Sequence, residues 1–159
     1  MNDKPLEKKV ASLLVSLKMT IAVAESCTGG LICHRLTNVS GSSDYLEMGV
    51  VTYSNQSKSK LLGVPKETIQ EHGAVSEACV RAMATGVRRL AGTDLGLAVS
   101  GIAGPTGGTL DKPVGTVHLA LAWDEEVQSW KYVFQGSRGE IKEQASQEGL
   151  MRIRDHLTT

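Results

Sequence analysis

The chain has 159 residues, in which 17 Lys and Arg balance 17 Asp and Glu to a formal net charge of zero. This length fits one domain with a substantial core, because domains commonly hold roughly 100 to 150 residues. The charge balance excludes a strong electrostatic attraction to nucleic acid or to an anionic membrane, although a local basic patch is compatible with it.

A helix and a buried strand are the first elements that the sequence predicts. Leucine and valine recur at helical spacing from Leu6 to Leu17, and Asp3 precedes them as an N-cap. The next segment, TIAVAES at 20–26, is short, partly β-branched and closed by glycines. This pattern is typical of a strand buried in a sheet.

Glycines separate that strand from a second predicted helix at 28–37. Gly29 and Gly30 therefore lie in a strand-to-helix turn with free backbone N–H groups, which is a favourable place for an anion. A second strand is predicted at 46–54. The helix after it starts in NQSKSKLLGV, with Asn55 as its N-cap.

A longer helix and a third strand follow. Ser76 is predicted to cap the helix and Gly92 to end it. Its predicted core-facing residues are Val80, Met83, Ala84, Val87 and Leu90. The strand, LGLAVS at 95–100, also ends in glycines, in the loop GIAGPTGG. Because ligands of open α/β sheets usually sit beyond the carboxyl ends of strands, two such loops favour a binding site, although neither matches a Rossmann or Walker motif.

The last third of the chain predicts a hairpin and a helix. Segments 114–123 and 127–135 form paired strands around an acidic turn. The aromatic residues that alternate on one face of the second strand are Trp130, Tyr132 and Phe134. SRGE at 137–140 matches a capping box for the C-terminal helix.

These elements together predict an α/β fold. Helices alternate with strands and a hairpin follows, so we expect residues 1–159 to form a single domain with a mixed β-sheet and helices on both faces. No apolar stretch reaches the roughly 18 residues of a membrane-spanning helix, and MNDKPLEKK at the start has no signal-peptide core. The three cysteines form neither a CxxC pair nor a recognised zinc spacing. We therefore expect a soluble, cytoplasmic protein with reduced thiols and no metal.

Two segments carry candidate nucleophiles. Cys27 lies near a helix N-terminus, where a thiolate is stabilised, but no base adjoins it if Glu25 points to the other face of the strand. The segment GSSDYLEMGVVTYSNQSK places Ser43 in a turn, Tyr53 near a strand end and Lys58 in the first turn of a helix. Burial and the helix dipole both favour a neutral lysine, which could serve as a base for serine. The spacing alone favours a turn cap, a packed tyrosine and a solvated lysine, because these residue types are common in turns and at strand ends.

Ordered motifs along nearly the whole chain resemble those of a known family. They are AESCTGG, GSSDYLEMGVVTYSNQSK, LGV, HGAVS, SGIAGPTGG, KPVGTV and GSR. In this order they resemble the CinA C-terminal domain family of nicotinamide-nucleotide amidohydrolases. The additional N-terminal domain of larger CinA proteins has no counterpart in this sequence, so we expect the stand-alone amidase form.

The resemblance implies hydrolysis of the carboxamide of nicotinamide mononucleotide to nicotinate mononucleotide and ammonia. No metal or other cofactor is implied, and the reaction would serve pyridine nucleotide recycling. Matched residue by residue, the family's nucleophile is Ser43, assisted by Lys58 and Tyr53. Ser42 and Lys60 are the competing assignments.

The resemblance also implies a substrate pocket. Its residues are Ser26, Thr28, Gly29 and Gly30 on one wall, Ser100 and Gly101 on the opposing wall, and Arg138 for the phosphate. We expect the small-molecule substrate and further copies of the chain as partners, with Trp130 available for a strand-edge contact, and neither nucleic acid nor membrane. Two rivals stay open: a non-catalytic pyridine-nucleotide sensor or competence- and damage-related partner module, and an amidase that acts through Cys27.

Overall fold

The computed structural model describes residues 4–159, so the proposed N-cap Asp3 lies outside the described residues. In this range the helices are α1 (Leu6–Leu17), α2 (Leu31–Thr37), α3 (Asn55–Leu62), α4 (Lys66–His72), α5 (Glu77–Ala91) and α6 (Arg138–Leu157). The strands are β1 (Ile21–Glu25), β2 (Leu46–Val51), β3 (Leu95–Gly101), β4 (Thr116–Trp123) and β5 (Glu126–Val133). A 3₁₀ turn at Ser42–Asp44 precedes β2. No helix of residues 4–159 combines the length and the apolar character needed to cross a bilayer.

The five strands form one mixed sheet in the order β2-β1-β3-β4-β5. β1 pairs in parallel with both β2 and β3, whereas β4 is antiparallel to β3 and to β5. β1 is buried along its whole length, and the edge strands β2 and β5 expose alternate residues. The central strands are apolar because both of their faces are covered.

Helices cover both faces of the sheet, as the sequence predicts. On one face the apolar core joins α1, α2 and α6 to Val23, Leu97 and Leu119 of the sheet. On the other face Met83 and Val87 of α5 pack over strand residues that include Ala98. Since strand side chains alternate between faces, the same central strands supply both cores.

The local signals that the sequence carries are confirmed at three helix ends. Ser76 accepts a hydrogen bond from the Cys79 N–H at 3.2 Å, and Gly92 ends α5 in a left-handed conformation. The capping box is also present, with the hydroxyl of Ser137 and the carboxylate of Glu140 each accepting from the other residue's N–H. These contacts join residues close in sequence, which makes them readable from local patterns.

Other expectations are corrected. Ser54, and not Asn55, caps α3, because its hydroxyl accepts from the Ser57 N–H at 3.0 Å. Leu90 is 44% exposed although the 3.6-residue period keeps it on the same stripe as Met83 and Val87, and it lies one residue before the end of α5. Trp130 is half-buried, packs against the core and has the Arg152 guanidinium 4.8 Å from its ring centre, so it is less exposed than expected, while the strand-edge contact stays a prediction. The short, polar α4 has no predicted counterpart.

Candidate active site

A cleft of about 340 Å³ opens where β1, β2 and β3 end. The parallel pairing of these strands brings their carboxyl ends to one edge of the sheet, which is the usual ligand position in such folds. The residues that line the cleft include Ser26, Cys27, Tyr53, Lys58, Ser100, Gly101 and Arg138. Four segments far apart in sequence therefore meet at one site.

Lys58 is the buried charged side chain of this cleft, with 1% of its surface exposed. Its Nζ lies 3.0 Å from Ser26 Oγ. Two backbone carbonyl oxygens complete its surroundings, at 2.7 Å from Thr52 and 3.1 Å from Tyr53. The carbonyl oxygens can only accept, whereas the Ser26 hydroxyl can either donate or accept.

This arrangement suits an unprotonated amine. Burial lowers the pKa of Lys58, and this is the largest effect. Charged thiolates of Cys79 and Cys27 would raise the Lys58 pKa, but burial raises the pKa of both thiols and keeps them uncharged near neutral pH. A neutral Lys58 would donate its two N–H groups to the carbonyl oxygens. Its lone pair would then face Ser26 and could accept the hydroxyl proton.

Ser26 occupies a fixed position directly after β1. Its N–H donates to the Val99 carbonyl at 3.1 Å, and its own carbonyl accepts from the Gly29 N–H at 3.1 Å. The chain then turns into α2, so Ser26 lies on a strand–turn–helix connection, a context used by serine nucleophiles in other hydrolases. That signal is present in AESCTGG, although the family resemblance implied only a binding role for Ser26.

Ser43 lies elsewhere, and the predicted pairing of Ser43 with Lys58 is wrong. Ser43 is exposed in the 3₁₀ turn before β2, whereas Lys58 follows the opposite end of that strand. The six residues of β2 separate the two ends by roughly 20 Å. Ser42 shares the turn with Ser43, and Lys60 is exposed on α3, so neither competing assignment completes a pair.

Tyr53 and Arg138 meet at the mouth of the cleft. Tyr53 is 62% exposed, and its hydroxyl accepts from Arg138 Nη2 at 3.3 Å. Arg138 Nη1 donates to the Gly104 carbonyl at 2.7 Å. The Tyr53 hydroxyl thus faces Arg138, while only the Tyr53 carbonyl contacts Lys58, so the expected proton relay through the hydroxyl is not formed.

Ser100 and Gly101 form the opposing wall, where the resemblance placed them. The Ser100 hydroxyl donates to the Ala74 carbonyl at 2.9 Å and thereby ties the loop before α5 to β3. A Cβ on Gly101 would lie 2.6 Å from the Val117 side chain and 2.9 Å from the Thr116 carbonyl. Only glycine fits there without displacing the neighbouring strand.

Thr28, Gly29 and Gly30 do not line the cleft. Thr28 is 1% exposed, and its hydroxyl donates to Glu25 Oε1 at 2.6 Å. Gly29 and Gly30 have φ values of +60° and +105°, which glycine adopts without strain, and the Gly29 N–H is already bonded to Ser26. These three residues shape the turn that carries Ser26.

Cys27 borders the cleft, but its chemistry does not favour a nucleophile. It is 6% exposed, and burial raises the pKa of its thiol to about 12. The reactive form of cysteine is the thiolate, which is scarce at neutral pH when the thiol pKa is raised in this way.

Within residues 4–159 no group of three or more His, Cys, Asp or Glu side chains is arranged to hold a metal ion.

A larger concavity of about 980 Å³ lies between α1 and residues 39–45. It is remote from the carboxyl ends of the strands. Tyr45, its buried polar side chain, already donates its hydroxyl to the Leu36 carbonyl at 2.8 Å. The smaller cleft, which holds the Ser26–Lys58 pair, is therefore the better candidate for an active site.

Comparison with known proteins identifies the relatives of this chain. The CinA C-terminal domain profile matches residues 3–157. The chain belongs to the CinA C-terminal domain family. A CinA-like protein of Syntrophus aciditrophicus is 57% identical over 157 residues, which are 98% of this chain and 37% of that protein. A CinA-like protein of Geobacter sulfurreducens is 50% identical over 99% of this chain and 38% of its own length. This CinA domain thus spans little more than a third of those relatives.

Solved structures of CinA proteins share the whole fold. A competence-damaged protein (CinA) superfamily protein from Klebsiella pneumoniae is 36% identical, with a TM-score of 0.93 over 96% of each chain. The competence/damage inducible protein CihA from Agrobacterium tumefaciens is also 36% identical, with a TM-score of 0.91 over 100% of each chain. The likeness confirms the predicted mixed sheet with helices on both faces.

Proposed function

We propose that this CinA domain is a serine amidohydrolase that converts nicotinamide mononucleotide to nicotinate mononucleotide and ammonia without a metal. The observation that carries the proposal is the 3.0 Å contact between Ser26 Oγ and the buried Nζ of Lys58. A hydroxyl beside an amine of lowered pKa is the arrangement that serine–lysine hydrolases require. In this proposal Ser26 takes the nucleophilic role that the family resemblance implied for Ser43.

The reaction begins with proton transfer from Ser26 to neutral Lys58. The Ser26 oxygen attacks the carboxamide carbon and forms a tetrahedral intermediate, in which the carbonyl oxygen carries the negative charge. Lys58 returns its proton to the nitrogen as the carbon–nitrogen bond breaks, and ammonia leaves. Lys58 then takes a proton from water, which attacks the acyl-serine ester and releases the acid while Ser26 regains its proton.

The size and charge of the cleft are compatible with a mononucleotide. A volume of about 340 Å³ falls within the range of small-molecule sites. The residues that line it include no Asp or Glu, and Arg138 stands at its mouth. A guanidinium is well suited to a phosphate because it offers two parallel N–H donors.

A non-catalytic function is the second candidate. The solved CinA relatives carry competence- and damage-related names, which would fit a sensor or partner module that binds the same nucleotide. Such a module has no need for a buried lysine beside a serine hydroxyl. We therefore rank turnover above sensing.

The deciding experiment compares Ser26→Ala with Ser43→Ala. Chelator-treated wild-type protein and both variants are assayed for nicotinate mononucleotide and ammonia, and nucleotide binding is followed by calorimetry. We expect Ser26→Ala to lower kcat by roughly 10³-fold or more and Ser43→Ala to retain wild-type turnover.

Other results would change the mechanism, the function or the identity of the nucleophilic serine. Wild-type turnover by Ser26→Ala would overturn the mechanism. Binding without turnover by the wild type would support the sensor instead. Loss of turnover in Ser43→Ala alone would restore the original serine assignment.

A further inference from the structure

Glu25 is a buried carboxylate that the proposed chemistry does not use. It is the last residue of β1 and has 0% of its surface exposed. Within residues 4–159 it forms no ion pair with Lys, Arg or His. Its hydrogen bonds come from neutral donors: the Thr28 hydroxyl at 2.6 Å, the Ile32 N–H at 2.9 Å and the Cys33 N–H at 3.0 Å.

These bonds enclose the turn that carries Ser26. The N-cap residue of α2 is Gly30, which has no side chain to accept from the first helical N–H groups. Glu25 performs this capping from the preceding strand, and Thr28 adds a bond from the middle of the turn. Hydrogen bonds from the middle of this turn and from the start of α2 therefore converge on the single carboxylate of Glu25.

We propose that Glu25 and Thr28 form a clamp that positions Ser26 Oγ for proton transfer to Lys58 Nζ. The proposal rests on the serine–lysine function above. Ser26 is the first residue inside the clamped segment, and its backbone is also held at both its N–H and its carbonyl. With backbone freedom removed in this way, the Ser26 hydroxyl stays 3.0 Å from the amine.

Neither clamp residue lines the cleft. They act through Ser26 and are positioning residues, so their loss should change the rate of the chemical step and leave substrate affinity nearly unchanged. A displacement of about 1 Å at a reacting atom can cost up to roughly 10²-fold in rate. Removing the 2.6 Å bond from Thr28 is the smallest change that releases one side of the turn.

The test uses Thr28→Val, which keeps the shape of the side chain and removes the hydroxyl. Thr28→Ser restores the donor, and Thr37→Val removes a threonine hydroxyl from α2 that bonds the Cys33 carbonyl at 2.8 Å outside the clamp. Thr28→Ala gives the same comparison if valine reduces the folded fraction. Two quantities are measured: kcat and KM for nicotinamide mononucleotide, and the rate at which a fluorophosphonate labels Ser26 as Oγ bonds to phosphorus and fluoride leaves.

We expect Thr28→Val to lower both kcat and the labelling rate by about 10- to 100-fold, with KM changed by less than about 2-fold. Thr28→Ser and Thr37→Val should stay near wild type. Unchanged kcat and labelling in Thr28→Val, or equal losses in Thr28→Ser, would overturn the clamp while leaving the amidase intact. A wild-type protein that neither turns over the nucleotide nor labels at Ser26 would instead overturn the proposed function.

Discussion

Lys58 shows at the scale of one residue how the proposed catalytic role opposes stability. A lysine with 1% of its surface exposed has lost nearly all contact with water, which disfavours its charged form. Its three hydrogen-bond partners satisfy the amine, yet two of them are backbone carbonyls whose positions are set by the end of β2. The fold therefore buries an amine of lowered pKa, and an apolar side chain of similar length could be buried there at a smaller free-energy cost.

Lys58→Met should abolish turnover and alter the pH dependence of stability. The unfolded chain keeps the lysine proton up to about pH 10.4, whereas the folded protein releases it at a lower pH because burial lowers the pKa of Lys58. The free-energy cost of burying the charged Lys58 side chain is thus fully present at pH values below its pKa in the folded protein. This cost disappears as the pH rises to the lysine pKa of the unfolded chain. We expect the free energy of unfolding of Lys58→Met, relative to wild type, to increase as pH falls through this window.

Urea denaturation at several pH values from alkaline to neutral measures this difference. Lys60→Met is the matched control, because Lys60 is exposed on the same helix and should show no such trend. Parallel stability profiles for Lys58→Met and wild type would contradict a lowered pKa for Lys58.

At the scale of elements, α5 holds α3 and the sheet at close range. A Cβ on Gly86 of α5 would overlap the backbone carbonyl of Leu62 at the end of α3. On the sheet side, a Cβ on Gly96 of β3 would lie 2.7 Å from the Cβ of Arg88. These close approaches position α3, and α3 in turn carries Lys58 to the cleft.

Gly86→Ala should therefore reduce stability, although alanine normally favours a helix. The added methyl meets backbone atoms that cannot rotate away, and overpacking of this kind costs about 1–3 kcal/mol. Gly139→Ala in α6 is the control, since a Cβ there has nothing within 4 Å, and we expect it to gain about 0.5 kcal/mol. Denaturant midpoints of both variants provide the measurement, and equal shifts would show that the α3–α5 contact is not tight.

At the scale of the whole molecule, Arg35 joins the two ends of the described chain. From α2 its Nε contacts Glu7 of α1 at 2.7 Å. Its two terminal nitrogens donate to Ser146 at 2.9 Å and Gln147 at 2.8 Å, both on α6. Because α6 begins with Arg138 at the cleft, this network connects packing on one face of the sheet to the position of a candidate binding residue.

Glu7→Gln should weaken this connection in a pH-dependent way. The hydrogen bond from Arg35 lowers the pKa of Glu7 in the folded protein. The contribution of this contact to the free energy of unfolding is therefore present above the unfolded-chain glutamate pKa of about 4.3, and it is lost as the pH falls through the Glu7 pKa of the folded protein. We expect a loss of about 1 kcal/mol at neutral pH, because the pair is only partly buried. Wild type and variant should converge in acid.

Thermal melting across this pH range tests the expectation. Glu47→Gln on the exposed side of β2 is the control and should match wild type throughout. A difference between Glu7→Gln and wild type that persists in strong acid would indicate a packing effect instead of an ion pair.

The sequence by itself determined the features that depend on residues close together along the chain. The strands and most helices, the caps at Ser76 and Ser137, and the mixed sheet with helices on both faces all follow from local periodicity, turn chemistry and the alternation of elements. The ordered motifs also pointed to the CinA family. Lys58 was singled out from the sequence as a candidate base, whereas its burial came only from the structure.

Only the tertiary structure decided which serine faces Lys58. Ser43 and Lys58 lie closer in sequence than Ser26 and Lys58, but β2 runs between the first pair and separates them by its length. Parallel pairing of β1 with β2 brings Ser26 to the same sheet edge as Lys58. Contacts of this kind depend on strand order and direction, which follow from burying both faces of the sheet at once, and no local pattern encodes them.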